Sequence, residues 1–188
     1  MKRLFLISAG AALLICAAYP ARAAQPDTSS PAAYCQSTGG TVVERAPVYG
    51  TNGPSSTWLW LSGARNFCAY KSAKDGSTIH IPVDTLYTTK PTLAVLAYYA
   101  KLPVPSCSGN PASCYCSYLG GSDLFGGINA AGGGWVGQDY PFNVLEACIF
   151  PDMSSIDSWG LTYYANGIVR GIDLTTVLRY APPPSATH

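Results

Sequence analysis

Charge is what this chain has least of. Lysine, arginine, aspartate and glutamate make up 11% of its 188 residues, against roughly 25% in an ordinary soluble domain. There are two histidines, His80 and the terminal His188. The sequence has no phosphate-binding loop, no Gly-x-Ser-x-Gly elbow and no His-Glu-x-x-His pair, so none of the motifs that commit a chain to nucleotide, esterase or zinc-protease chemistry is present. His80 alternates with apolar neighbours in Thr78-Ile79-His80-Ile81. It reads as a solvent-facing strand or loop histidine rather than a general base. Asp152 and Asp157 flank a turn, but two carboxylates are too few for calcium, and Asp157 reads more simply as a helix cap. Nothing selects a carboxylate pair for glycoside hydrolysis. The expectation is no catalytic residue, no metal ligand set and no cofactor.

Long apolar runs are also scarce. The one present, Leu4 to Ala18, follows Lys2 and Arg3 and precedes Ala21-Arg22-Ala23. A positive start, an apolar centre and a small-x-small end predict a signal peptide over residues 1–23. At 15 residues the run is short of the roughly 20 that a membrane-spanning helix needs. Cys16 is a poor lipidation site because Ile15 precedes it where a small residue is expected. Removing residues 1–23 takes three basic residues, leaving eight against ten acidic ones and a net charge near −2. No basic patch survives, which argues against a nucleic-acid or anionic-membrane partner. No amphipathic or apolar segment follows, so the mature chain is not expected to insert into a membrane. The predicted location is periplasmic or secreted, with a surface wetted by hydroxyls.

What the chain does have is a motif that occurs twice. Tyr34-Cys35 is followed by Gly39-Gly40, and Tyr115-Cys116 by Gly120-Gly121, at identical offsets. A second cysteine follows each, Cys68 after 33 residues and Cys148 after 32. The match continues at Val95 to Tyr98 and Val177 to Tyr180. This predicts a tandem duplication: an N-terminal segment 24–30, module 1 over 31–102, a linker 103–110, module 2 over 111–181, and a disordered tail 182–188.

Six cysteines remain after residue 23, an even number that reads as a disulfide framework in an exported chain. If the copies are equivalent, Cys35 pairs with Cys68 and Cys116 with Cys148, which leaves Cys107 with Cys114. The rival set joins Cys107 to Cys116 and Cys114 to Cys148. A zinc site at Cys107, Cys114 and Cys116 has the wrong spacing and no neighbouring histidine.

Ser30-Pro31 and Asn110-Pro111 each combine an N-cap residue with proline at the first helical position. Gly39 and Gly120 sit where a helix end wants a left-handed residue. Strands are expected from Thr41, over Phe67 to Tyr70 and over Cys148 to Phe150. Helices are expected over Ser158 to Ala165 after Asp157, over Pro91 to Lys101, and over Asp173 to Tyr180. Gly132-Gly133-Gly134 reads as flexible loop. The fold class is therefore α+β: two related small modules of helix plus antiparallel strands, stapled by disulfides.

The unit Pro-Ala-x-Tyr-Cys-x3-Gly-Gly, then Cys-x-Phe, a polar turn and a Trp-x3-Tyr helix resembles a domain-of-unknown-function family of small exported bacterial proteins whose members often carry a hemolysin label. The second copy matches best, at Asn110 to Ala112, Tyr115-Cys116, Gly120-Gly121, Cys148 to Asp152 and Trp159 to Tyr163. The first matches at Pro31 to Gly40 and Cys68 to Tyr70. The chain departs from the family in lacking cysteines beside the tryptophan helix, at Ser154 to Asp157 and Gly167 to Arg170, and in its longer inserts. The resemblance implies no catalytic residue.

The inserts, Tyr49–Ser62 and Phe125–Tyr140, carry the remaining signal. Trp58 and Trp60 are expected on one side of a strand, and Trp135 sits at the corresponding place of the second insert. These tryptophans read either as core aromatics of a small domain or, with Tyr49 and Tyr140 at the edges, as one contiguous binding face. The functional expectation is an exported, non-catalytic binding or interaction protein whose partner is a protein or cell-envelope component. The alternative is a hydrolase or inhibitor acting on an envelope polymer or protein.

Overall fold

A computed structural model describes residues 29–123, 131–137 and 140–183. The predicted signal peptide, most of the expected tail and the first part of the second insert lie outside them.

Helix α1 (Pro31–Ser37) starts as its sequence dictates: the Ser30 hydroxyl accepts from the Ala33 N–H at 3.1 Å, with Pro31 at the first turn. The chain leaves α1 through Gly39, at φ 88°. It then runs antiparallel through β1 (Thr41–Tyr49), the short β2 (Leu59–Trp60), β3 (Arg65–Lys71) and β4 (Thr78–Pro82), and into α2 (Val83–Tyr87) and α3 (Leu93–Ala100). Helix α4 (Pro111–Tyr118) opens the second copy, with Asn110 accepting from the Ala112 and Ser113 N–H groups. Strands β5 (Gly133–Gly137), β6 (Tyr140–Leu145), β7 (Ala147–Ile149) and β8 (Ser155–Asp157) follow, then α5 (Ser158–Ala165) and a 3₁₀ turn at Leu174–Thr176.

The three disulfides are Cys35–Cys68, Cys107–Cys114 and Cys116–Cys148. Each long one ties a helix to a strand, α1 to β3 and α4 to β7. The repeated Gly-Gly now has a physical reason. Gly39 and Gly120 take the left-handed backbone, at φ 88° and 84°. Gly40 and Gly121 lie against the disulfides: a Cβ on Gly40 would strike Cys68 Sγ and come within 2.9 Å of Cys35 Sγ, and one on Gly121 would meet Cys148 and Cys116 in the same way. The following residues match as well, Thr41 opposite Ala69 and Ser122 opposite Ile149.

The second half of the chain does not keep to itself. Its strand β5 pairs with β1, Ala46 opposite Val136 and Pro47 opposite Trp135, giving the antiparallel order β4-β3-β1-β5-β6 with β2 beside β1. Among the described residues, β7 and β8 form a separate two-stranded ladder. One core cluster contains both long disulfides and apolar residues of both copies. Tyrosine hydroxyls cross between them: Tyr34 donates to the Val177 carbonyl at 2.8 Å and Tyr115 to the Leu102 carbonyl at 2.6 Å. Helix α5 packs so closely on β4 that a Cβ on Gly160 would come within 2.6 Å of Ile79 Cγ1. Among the described residues no helix is long and apolar enough to cross a membrane.

Two expectations need correction. Gly133 and Gly134 belong to β5 rather than to a flexible loop, because the lack of side chains lets β6 approach: a Cβ on Gly134 would strike Val144 and lie 2.8 Å from the Leu145 carbonyl oxygen. The helix expected over Asp173 to Tyr180 is only the single turn Leu174–Thr176. Other elements divert its surroundings, since the Leu174 N–H donates to the Tyr98 hydroxyl and the Arg179 N–H to the Leu86 carbonyl.

Candidate functional site

The predicted aromatic face divides in two. Val48 pairs with Trp60 in the β1–β2 ladder, while Pro47, its neighbour, pairs with Trp135 in β1–β5. Residues directly opposite share a face and successive residues alternate, so Trp60 and Trp135 project to opposite sides of the sheet. Trp60 is 49% exposed, flanked by exposed Leu59, Leu61 and Tyr49. Trp135 is buried, its ring 5.4 Å from Phe67 in a small second core with Leu145 and Ala147. Trp135 is therefore corrected from surface contact to core, and the register is the cause. Trp58 is half-buried just before β2, its indole N–H donating to the Gly53 carbonyl at 2.9 Å. The Tyr140 side chain lies outside the described part. Both inserts do meet at the far end of β1, through Gly50 N–H to the Gly132 carbonyl and Asn52 N–H to the Ala131 carbonyl.

His80 also needs correction. It is 6% exposed, not solvent-facing. Its Nε2 lies 3.3 Å from Arg45 Nη2 and its Nδ1 lies 3.6 Å from Asp157 Oδ2. Arginine can only donate, so Nε2 accepts and the imidazole proton sits on Nδ1, towards Asp157. Arg45 is buried too. Its Nη1 donates to the Trp135 and Asn143 carbonyls, at 3.1 and 3.0 Å. Burial pulls the Arg45 guanidinium below its ordinary value, and the Asp157 charge opposes that. The Asp157 carboxylate also caps α5, accepting from the Gly160 N–H at 2.9 Å. This His–Asp pair resembles the base of a hydrolase only in part. Arg45 occupies the Nε2 position that a nucleophile's hydroxyl would need, and the cluster works as a polar tie between the sheet and α5.

A cleft of about 330 Å³ lies where the copies meet, lined by Arg65, Asp84, Thr85, Thr88 and Thr92 of the first and the Asp152–Ser154 turn of the second. Arg65 Nη2 grips both oxygens of Asp84, at 3.2 and 2.9 Å. Thr92 occupies the N-cap of α3 but its side chain caps nothing. The second copy supplies the caps instead: Asp152 Oδ2 accepts from the Leu93 N–H at 2.8 Å and Ser154 Oγ from the Ala94 N–H at 3.0 Å. Thr92 Oγ1 is left buried without a partner, a state that costs about 1–3 kcal/mol. Burial pushes the Asp152 carboxyl up, but the bonds from Ser154 and Leu93 outweigh it and hold it below its usual value. Met153, at φ 64°, is 68% exposed at the rim.

Sequence reasoning missed Arg45 and the cleft because their members are far apart in the chain. The one usable signal was Asp152, whose Asp-x-Ser context predicts a local turn. No family model, curated protein or solved structure matches this chain.

Proposed function

We propose that this chain is an exported, non-catalytic binding protein that holds an uncharged component of the cell envelope or exterior on the β1–β2 hairpin. One observation carries the reading. Tyr49, Leu59, Trp60 and Leu61 are all exposed, on a stretch with no charged residue between Arg45 and Arg65. Exposed aromatics beside hydroxyls suit neutral surfaces and sugar rings, and the absence of charge disfavours nucleic acid. Three disulfides suit an oxidising compartment. In this reading the chain is a tandem duplicate within the exported family that its Tyr-Cys-x3-Gly-Gly units resemble.

The test is co-sedimentation of the oxidised protein with peptidoglycan and with neutral polysaccharides. The expected result is retention without released product. Trp60→Ala should weaken retention about tenfold or more while changing stability by less than about 0.5 kcal/mol. Soluble product would favour the hydrolase alternative. Unchanged retention by the variant would refute this surface.

A further inference from the structure

We infer that the cleft between the copies is a second, separate binding site, for a small uncharged polyhydroxylated ligand such as a single sugar unit. Its size falls at the lower end of small-molecule sites, about 330 Å³ against roughly 300–1,000 Å³. Its charges are already satisfied internally. Arg65 and Asp84 neutralise each other in a two-pronged pair. The Asp152 oxygens are taken by the Leu93 N–H, the Ser154 N–H and the Ser154 hydroxyl. A free anion would meet two carboxylates, and a free cation would have to displace Arg65 or strip a helix cap. The lining still open to hydrogen bonding is made of hydroxyls. Thr88 Oγ1 accepts from the Lys90 N–H and Thr85 Oγ1 from the Ser155 N–H, so each keeps a proton to donate.

Thr92 is the most telling member. A threonine at an N-cap ordinarily spends its oxygen on the helix. Here Asp152 and Ser154 do that work, and the hydroxyl stays buried without a partner just behind the cleft wall, where a small shift of the Thr92 side chain would bring it to a ligand. The exposed Met153 thioether at the rim offers an apolar, adaptable surface, which matches the C–H face of a sugar ring.

The experiment is an amide chemical-shift titration of the full chain, expressed for export and purified with its disulfides formed. The probes are glucose, N-acetylglucosamine and glycerol, with acetate and tetramethylammonium as charged controls. At least one neutral probe should move the amides of Thr88, Leu93 and Met153, with a Kd of about a millimolar. Thr92→Val and Thr88→Val keep the side-chain shape and remove the hydroxyls. Together they should weaken binding about tenfold or more without lowering the melting temperature by more than a few degrees, since Thr92→Val removes an unpartnered buried hydroxyl and offsets the exposed Lys90 bond lost with Thr88→Val. Trp60→Ala should leave this response intact, which separates the cleft from the hairpin surface. The inference is overturned if no neutral probe moves these amides up to about a hundredfold above a millimolar. It is equally overturned if the threonine variants bind as well as the parent, if a charged control binds instead, or if Trp60→Ala abolishes the response.

Discussion

The two halves of the chain carry the same turn, one after Cys68 and one after Cys148, and use it differently. In Asp75-Gly76-Ser77 the carboxylate accepts from the Ser77 N–H at 3.0 Å and the Ser77 hydroxyl at 2.7 Å. In Asp152-Met153-Ser154 the same bonds measure 3.1 and 2.6 Å. The middle residue is left-handed in both, Gly76 at φ 71° and Met153 at φ 64°. The first turn's carboxylate faces water, while its Ser77 hydroxyl accepts from the Gly171 N–H at 3.0 Å. The second bonds to the start of α3 and walls the cleft. A local hydrogen-bond pattern therefore sets the shape of a turn, and its surroundings decide whether the carboxylate is also used, as Asp152 is for α3 and Asp75 is not. The second copy accepts a methionine where glycine would relax the backbone, and gains a side chain at the rim.

The largest expected effect comes from what the copies do not share. Arg45 joins β1 to β5, β6 and the His80–Asp157 pair, so Arg45→Ala should lower unfolding free energy by about 3–5 kcal/mol in denaturant titration, because it strands a buried carboxylate. A loss below about 1 kcal/mol would show that the tie is dispensable. The next effect tests what the copies do share. Gly40→Ala and Gly121→Ala should each cost about 1–3 kcal/mol through overpacking against a disulfide, and by similar amounts. A large inequality would break the equivalence of the two units.

Asp152→Asn against Asp75→Asn separates the turns directly. The first should cost about 1 kcal/mol, as lost caps do, and the second should be near neutral. Acid gives the same contrast. Both carboxyls are held below their ordinary values, Asp75 at about 2 through its bonds to Ser77. Each contribution is therefore present above an unfolded carboxyl's pKa, about 3.9, and is lost as the pH falls through the folded value. For Asp75 that window runs from about 4 down to about 2. Protection of the amides at the start of α3, measured against unfolded exchange at the same pH, should fall in acid, and Asp152→Asn should remove that dependence while Asp75→Asn leaves it. The smallest effect is at the middle residue. Met153→Gly should raise stability by up to about 1 kcal/mol, the gain from relieving a left-handed side chain less glycine's entropy.

Local chemistry was legible in the sequence and distant register was not. The starts of α1, α4 and α5 were readable because Ser30, Asn110 and Asp157 announce themselves as caps. The disulfide set followed from repeat equivalence. Helix α3 was placed with ends off by two residues and one. The pairing of β1 with β5 had no local signal, because it joins Arg45 to Gly137 across about half of the chain. That pairing is what buries Trp135. His80 misled because alternation with Ile79 and Ile81 implies one wet face, whereas here Ile79 and Ile81 join the main core and His80 meets Arg45 and Asp157. Of the aromatic residues singled out, Trp60 and Tyr49 are exposed and Trp135 is buried, a division that the sequence pattern alone did not carry.

The pairing of β1 with β5 also bears on how the chain comes into being. Synthesis runs from the N-terminus, so β1, with Val42, Val43 and Val48, is complete long before Gly133 to Gly137 exist. Until then one side of β1 is an open row of backbone donors and acceptors, the kind of edge that recruits other chains. The first copy is thus unfinished by itself, and whatever carries the nascent chain must shield that edge for the time it takes to make roughly ninety more residues, several seconds at about 5–20 residues per second.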